Sequence, residues 1–179
     1  LMGAIELSVD CIGKTVDDAY KEQVDHDLYE YGHGGYTGTL AEKDGFILIP
    51  RPPRYTAEKV EATFWLAEPY YWWLEWGSRP ETRPAKGGKA ALDLLKKWYP
   101  GGDLDAGRNG MVMGRNGMVM QSWAVGGLVV DWEYLLRSVL DEKWGPALAV
   151  EQSPAERNRR WNNLPRGHRS WTFFGLAST

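Results

Sequence analysis

The segment Gly32-His33-Gly34-Gly35-Tyr36-Thr37-Gly38-Thr39 sets an imidazole, a phenol and two hydroxyls among four glycines. Without a Cβ, glycine lets backbone N–H groups approach an anion closely, with His33, Tyr36, Thr37 and Thr39 adding donors and a stacking ring. The segment follows a helical pattern instead of opening one, so it lacks the dipole alignment of a phosphate-binding loop. A helix C-cap leading into a tight turn is the competing reading. A second concentration is Arg157, Arg159, Arg160, Arg166 and Arg169, interleaved with Trp161, His168 and Trp171. Guanidinium groups pair with phosphates and indole faces stack on bases, which suits a nucleotide or single-stranded nucleic acid. The same residues suit an acidic protein surface, including the chain's own first helix. The ligand-binding candidates are His33, Tyr36, Thr37, Thr39, Arg157, Arg160, Trp161, Arg166, His168 and Arg169.

A third concentration is apolar. Tyr70, Tyr71, Trp72, Trp73, Leu74 and Trp76 leave only Glu75 as a polar position. A helix apolar all round is either buried in the core or covered by a partner, so Trp72, Trp73 and Trp76 are the partner-binding candidates. Lys86-Gly87-Gly88-Lys89 precedes a helical pattern and offers a weaker phosphate signal, against the reading of a solvated loop.

Other chemistries find little support. His26, His33 and His168 do not fall at metal-ligand spacing, and one Cys, Cys11, allows neither a disulfide nor a thiolate cage, so no metal and no cofactor is expected. No Gly-x-Ser-x-Gly elbow and no Walker motif occurs, and no catalytic residue is assigned. One enzymatic arrangement stays open: a nucleotide-processing site with His33 as acid or base and Arg160 or Arg166 on a phosphate.

These residues must be positioned by one domain. The chain has 179 residues, 43% of them hydrophobic, with ten Trp, nine Tyr and four Phe. Its net charge of -3 argues against generic polyanion binding, although residues 1–50 hold ten acids against three Lys while residues 151–179 hold five Arg against two Glu. No apolar run reaches the roughly 20 residues that span a bilayer, and Met2 looks like the natural start with no signal peptide, so an intracellular, cytoplasmic protein is expected.

Ile5, Leu7 and Val9 alternate with Glu6, Ser8 and Asp10 as in a half-buried strand. Thr15 then opens a helix in which Val16, Tyr20, Val24, Leu28 and Tyr31 recur at helical spacing, with Gly32 as its stop. Asp44-Gly45 before Phe46-Ile47-Leu48-Ile49 reads as a hairpin turn. Thr56 caps a helix over 57–67, and Pro69 reads as the first turn of a separate short helix ending at Gly77. Residues 89–98 form an amphipathic helix. The heptapeptide Gly107-Arg108-Asn109-Gly110-Met111-Val112-Met113 repeats without change at 114–120. An odd period reverses the faces of a continuous strand, so a fold-back at Asn116-Gly117 is expected. Residues 123–130 are a further strand candidate. Asp131 caps a helix to about Lys143, residues 147–150 are a strand, 152–169 a polar basic loop, and 170–176 a terminal strand. The sum is an α+β fold, an antiparallel or mixed sheet with helices mainly on one face.

Three segments carry a resemblance: Tyr29-Glu30-Tyr31-Gly32-His33-Gly34-Gly35-Tyr36-Thr37-Gly38-Thr39-Leu40-Ala41-Glu42-Lys43, then Lys143-Trp144-Gly145-Pro146-Ala147, and Phe173-Phe174-Gly175-Leu176-Ala177-Ser178. Together they resemble a family of small proteins of bacteriophages and mobile elements. The resemblance covers the first 50 residues and the last 40 or so, and it implies origin but no activity. Residues 55–125 depart from it and read as a lineage-specific insertion within one domain, 1–179. The function expected is that of a non-enzymatic accessory protein binding a host macromolecule or a signalling nucleotide, in the manner of a counter-defence factor. The alternatives are the nucleotide-processing enzyme above and a single-stranded nucleic-acid-binding protein. The partners expected are a host protein or a nucleotide, with nucleic acid and a second copy of the chain also open, and no membrane.

Overall fold

Leu7, Val9 and Cys11 turn to one side of the first strand, β1 (Ala4–Gly13), and Glu6, Ser8 and Asp10 to the other, as its period-2 pattern requires. The computed structural model describes residues 3–101, 112–113, 119–120 and 131–179. Its sheet runs β1-β6-β5-β2-β3-β4, with β2 (Phe46–Ile49), β3 (Val112–Met113), β4 (Val119–Met120), β5 (Ala147–Glu151) and β6 (Arg169–Ser178). β2 and β5 pair in parallel and every other neighbouring pair is antiparallel, so the sheet is mixed.

Because side chains alternate, the central strands supply two cores. Phe46, Ala147, Ala149 and Phe173 face α1 (Val16–Tyr31), packing on its Tyr20 and Val24. Ile47, Ile49, Leu148, Val150 and Phe174 face the other way, against Val60 and Phe64 of α2 (Ala57–Glu75) and Leu95 of α3 (Gly88–Trp98). Leu136 joins them from α4, helical over Trp132–Tyr134 and continuing as a π-helix over Leu135–Leu140. The α+β fold is the expected one, with α2, α3 and α4 on one face and α1 on the other. The caps read from sequence are in place: Thr15, Thr56 and Asp131 accept from the backbone N–H groups of Asp18, Lys59 and Tyr134.

Four local expectations are corrected. Asp44-Gly45 does not join two strands of a hairpin: residues 40–42 form a 3₁₀ turn, and β2 takes its partners from β5 and β3. Pro69 does not start a new helix but lies inside α2. An interior proline costs about 3 kcal/mol, and the continuous buried stripe Val60, Phe64, Ala67 and Tyr71 outweighs it. The helix capped by Asp131 ends at Leu140 rather than near Lys143. Within the expected basic loop, α5 (Pro154–Arg160) is helical, started by a capping box of Ser153 and Glu156. The two Met-Val-Met arms do fold back, pairing Val112 with Met120 and Met113 with Val119. The Asn116-Gly117 turn and the strand candidate at 123–130 lie outside the described residues.

Two contacts hold α2 and α3 in place. At Gly88 a Cβ would fall 2.6 Å from the Cβ of Tyr70, so only glycine lets the first turn of α3 sit directly on α2. Glu156, from α5, accepts from the N–H groups of Ala57 at 2.8 Å and Glu58 at 3.1 Å, fixing the start of α2.

Parts of the chain far apart in sequence meet around one side chain. Lys43 is fully buried, and its ammonium donates to the carbonyls of Glu142 at 2.5 Å and Leu176 at 2.7 Å. The phenol of Tyr20 donates to the carbonyl of Lys43 itself, and Gly38 N–H donates to Ser178. Burial pushes the Lys43 pKa down to about 8, against the opposing pull of Asp44 and Glu142. A lysine whose pKa is lowered on folding binds fewer protons folded than unfolded, so its contribution to stability rises with pH from about 8 to 10.5. The expected size is about 3 kcal/mol. In urea melts at about pH 7.5 and pH 10, wild type should gain stability relative to Lys43→Met, in which this titration is gone. Parallel pH profiles of the two proteins contradict it.

Candidate functional site

Glu68, Trp72 and Trp76 lie four residues apart on α2 and therefore form one stripe along its last two turns. Trp72 and Trp76 are stacked, 5.4 Å between centroids and 26° between planes. The Arg137 guanidinium, 5.8 Å from the Trp72 centroid, caps that end of the stack. At its other end Trp76 is 75% exposed. After Gly77, in the left-handed region at φ 95°, the chain doubles back along α2, and the Trp73 indole N–H secures the return by donating to the Arg79 carbonyl at 2.7 Å. Arg79 and Thr82 become the facing wall of a groove of about 630 Å³, whose floor and near wall are Glu68, Trp72, Trp73 and Trp76. That volume falls within the range of small-molecule sites. On the far side of the returning segment, Arg83 lies 5.7 Å from the Trp73 centroid and, with Lys86 and Lys89, lines a smaller cavity of about 380 Å³.

The floor of the groove carries an acid pair. Glu68 hydrogen-bonds to Asp141, just past α4, and the Trp72 indole N–H also donates to Asp141. Burial, followed by the Asp141 charge and hydrogen bond, pushes Glu68 up to about 7. Burial raises Asp141 too, with the hydrogen bonds from Trp72 and Glu68 acting in the opposite direction. Ionisation of both carboxyls at once is therefore disfavoured.

The Gly-rich segment is differently occupied. Glu42, buried, accepts from the Thr37 N–H at 3.2 Å and the Thr37 hydroxyl at 2.8 Å, and Thr37 and Thr39 hydroxyls meet at 2.8 Å. The chain's own carboxylate therefore uses the donors on which an external anion would depend. Tyr36 packs edge-on to Trp144 at 5.6 Å, and His33 is exposed.

The Arg-rich segment is dispersed. Arg160 pairs with Asp10 of β1, Arg159 with Glu58 at 3.7 Å, and Arg169 with Glu151 at 3.4 Å. Asp10 also accepts from Gln152 and Thr172, both at 2.8 Å. Trp171, which bordered the cluster in sequence, is buried in the α1-side core and offers no ring face to a ligand. Trp161 lies with Glu22, Gln23 and His26 of α1 around a small cavity of about 160 Å³, so part of the segment does pack on the acidic first helix. Arg157 is half-buried, and Arg166 is exposed at the loop tip with His168 behind it. No hydrogen bond, ion pair or ring contact joins this segment to His33, Tyr36, Thr37 or Thr39 among the described residues. Cys11 lines the same small cavity, and burial, then the charges of Asp10, Asp27 and Glu22, push its thiol far up, so it is held protonated and unreactive.

The structure therefore gathers Trp72, Trp73 and Trp76 into one cavity and adds Glu68, Arg79, Thr82, Arg137 and Asp141, which sequence reasoning missed. Only the i, i+4, i+8 spacing of Glu68 with two tryptophans was available as a signal. Among the described residues no cluster of three metal-ligating side chains occurs, and no helix is long and apolar enough to cross a membrane. No protein-family model, no curated protein and no solved structure matches the chain.

Proposed function

We propose that the protein is a non-enzymatic nucleotide-binding protein, an accessory factor of phage type, that withdraws a signalling nucleotide by holding its base in the α2 groove. The observation that carries this reading is the half-open indole ladder: Trp72, with Arg137 over its ring, stacks on Trp76, and the ladder ends at an exposed ring beside Arg79. A base continues such a ladder by stacking on Trp76. Arg79 then reaches the phosphate, with Arg83 behind Trp73 as a second cation.

Titration calorimetry with purine and pyrimidine mononucleotides tests the reading. The expected result is one site per chain, with affinity that falls as salt rises because the phosphate contact is exposed. If no mononucleotide binds, the reading is overturned. If single-stranded oligonucleotides bind with a steep salt slope while mononucleotides do not, the single-stranded nucleic-acid reading replaces it.

A further inference from the structure

We propose that the outer edge of β1 is a docking site for an extended basic peptide, which joins the sheet as a further strand and alternates cationic with apolar side chains. The proposal is independent of the α2 groove and of the nucleotide reading.

β1 stands at the end of the strand order, so its ten residues pair with β6 along one edge alone. Among the described residues no backbone group bonds to its other edge. Such an edge is a row of N–H and C=O groups ready to template another strand, and proteins commonly blunt it with lysine, proline or a bulge. Residues 4–13 contain neither Lys nor Pro, and all ten pair with β6 in unbroken register. The open stretch is Ala4 to Ser8, where every residue but Leu7 is exposed. An added strand supplies the missing hydrogen bonds, and its side chains then meet those of β1 on each face.

What those side chains must be follows from the two faces. Glu6, Ser8 and Asp10 turn toward α2, where the Ser8 hydroxyl donates to Glu61 at 2.7 Å. Burial pushes the Glu61 carboxyl up, the hydrogen bonds from Ser8 and Trp65 oppose this, and the charges of Asp10 and Glu6 add to it. Arg160 is taken by Asp10, and among the described residues neither Glu6 nor Glu61 makes an ion pair. Cations are therefore the side chains this face lacks. On the α1 side Ile5 is 49% exposed and Val9 half-buried, so the alternate positions of the incoming strand are apolar. Beyond the open stretch, Glu22 and Trp161 wall the cavity at Asp10, which keeps the end of the edge acidic.

The same charges disfavour a second copy of the chain. Two β1 strands paired antiparallel about Ser8 set Glu6 opposite Asp10 at both ends, and residues 1–50 bring ten acids against three Lys from each copy.

The test is fluorescence anisotropy of labelled short peptides titrated with the full chain, read beside hydrogen exchange of the β1 amides. A peptide of alternating lysine and valine should bind at least about tenfold more tightly than one of alternating glutamate and valine, and should slow exchange of the outward-facing amides between Ala4 and Ser8. A permutation with the lysines at one end and the valines at the other keeps the charge and loses the alternation, so it should bind at least about fivefold more weakly. Glu6→Lys, at an exposed position, should melt like wild type and weaken the lysine–valine peptide by about fivefold or more. No binding, equal binding of the lysine and glutamate peptides, or no effect of Glu6→Lys overturns the proposal. Equal binding of the permutation, or binding that leaves β1 exchange unchanged, reduces it to attraction by surface charge and overturns it too. A peptide-free chain that sediments as a dimer with Ala4 to Ser8 already protected assigns the edge to a second copy instead.

Discussion

Trp76→Ala should abolish most nucleotide affinity while leaving the fold untouched. Trp76 is three-quarters exposed, stands at the C-cap of α2, and stacks its ring on Trp72. The cap bonds are made by its backbone N–H, which alanine keeps, and removal of an exposed side chain usually shifts stability by less than about 0.5 kcal/mol, so the thermal midpoint should move by about 2 °C or less. Binding is another matter. An aromatic platform contributes about 1–3 kcal/mol per stacked base, which is roughly a 5- to 150-fold loss of affinity on truncation. Trp76→Phe should recover part of it, since a smaller ring still offers a face. Trp72→Ala is a poorer probe, because it also removes the donor that orients Asp141. Calorimetry and a melting curve on the same Trp76→Ala sample separate the two effects. Unaltered affinity would remove the ladder from the binding site.

Glu156→Gln should give the largest stability loss of any single polar substitution in the described part of the chain. The carboxylate is buried and takes the N–H groups of Ser153, Ala57 and Glu58, so one side chain starts α5 and α2 together. Burial alone would raise its pKa. The backbone hydrogen bonds from Ser153, Ala57 and Glu58, with a contribution from the Ser153 side chain, outweigh that and hold it below the usual 4.5. Glutamine keeps an oxygen but turns an amide NH₂ toward the same N–H donors, leaving at least one of them unpaired. The expected cost is about 3 kcal/mol near neutral pH. Because the folded pKa is depressed, the stabilisation is complete above 4.5 and is lost as pH falls through the lower folded value. Denaturant melts should therefore show wild type and Glu156→Gln far apart at about pH 7 and converging as the pH is taken well below 4.5. A constant gap would assign the loss to packing instead of charge.

The residues behind these two predictions differ in how far they could be read from sequence. Local periodicity placed β1, since Leu7 and Val9 of the alternating set face the core, although Ile5 of the same set is exposed and the strand runs on past Cys11 to Gly13. The helix starts at Thr15, Thr56 and Asp131 were legible for the same reason: a cap and its target N–H are three residues apart. Glu156 is half legible. Its capping box is a local pattern, whereas its hold on Ala57 depends on folding. Glu68 and Asp141 lie on α2 and just past α4, and no local rule pairs them. Pro69 misled because the rule against interior proline ignores the tertiary burial that overrides it. For the Arg-rich segment the sequence left a ligand contact and intramolecular ion pairs both open, and no local pattern could say that α5 and β6 send Arg159, Arg160 and Arg169 to three different carboxylates.

The long pairing of β1 with β6 has a mechanical side. Gly3 accepts a hydrogen bond from Thr179, and Ala4 stands opposite Ser178, so these two ends of the strands lie together. Tension applied through Gly3 and Thr179 meets the ladder one rung at a time, as in unzipping, instead of loading all ten rungs in shear. Force applied at Thr179 loads β6 first, between β1 and β5. That strand carries Phe173 into one core and Phe174 into the other. Once β6 has been drawn out, neither layer of the molecule keeps its centre.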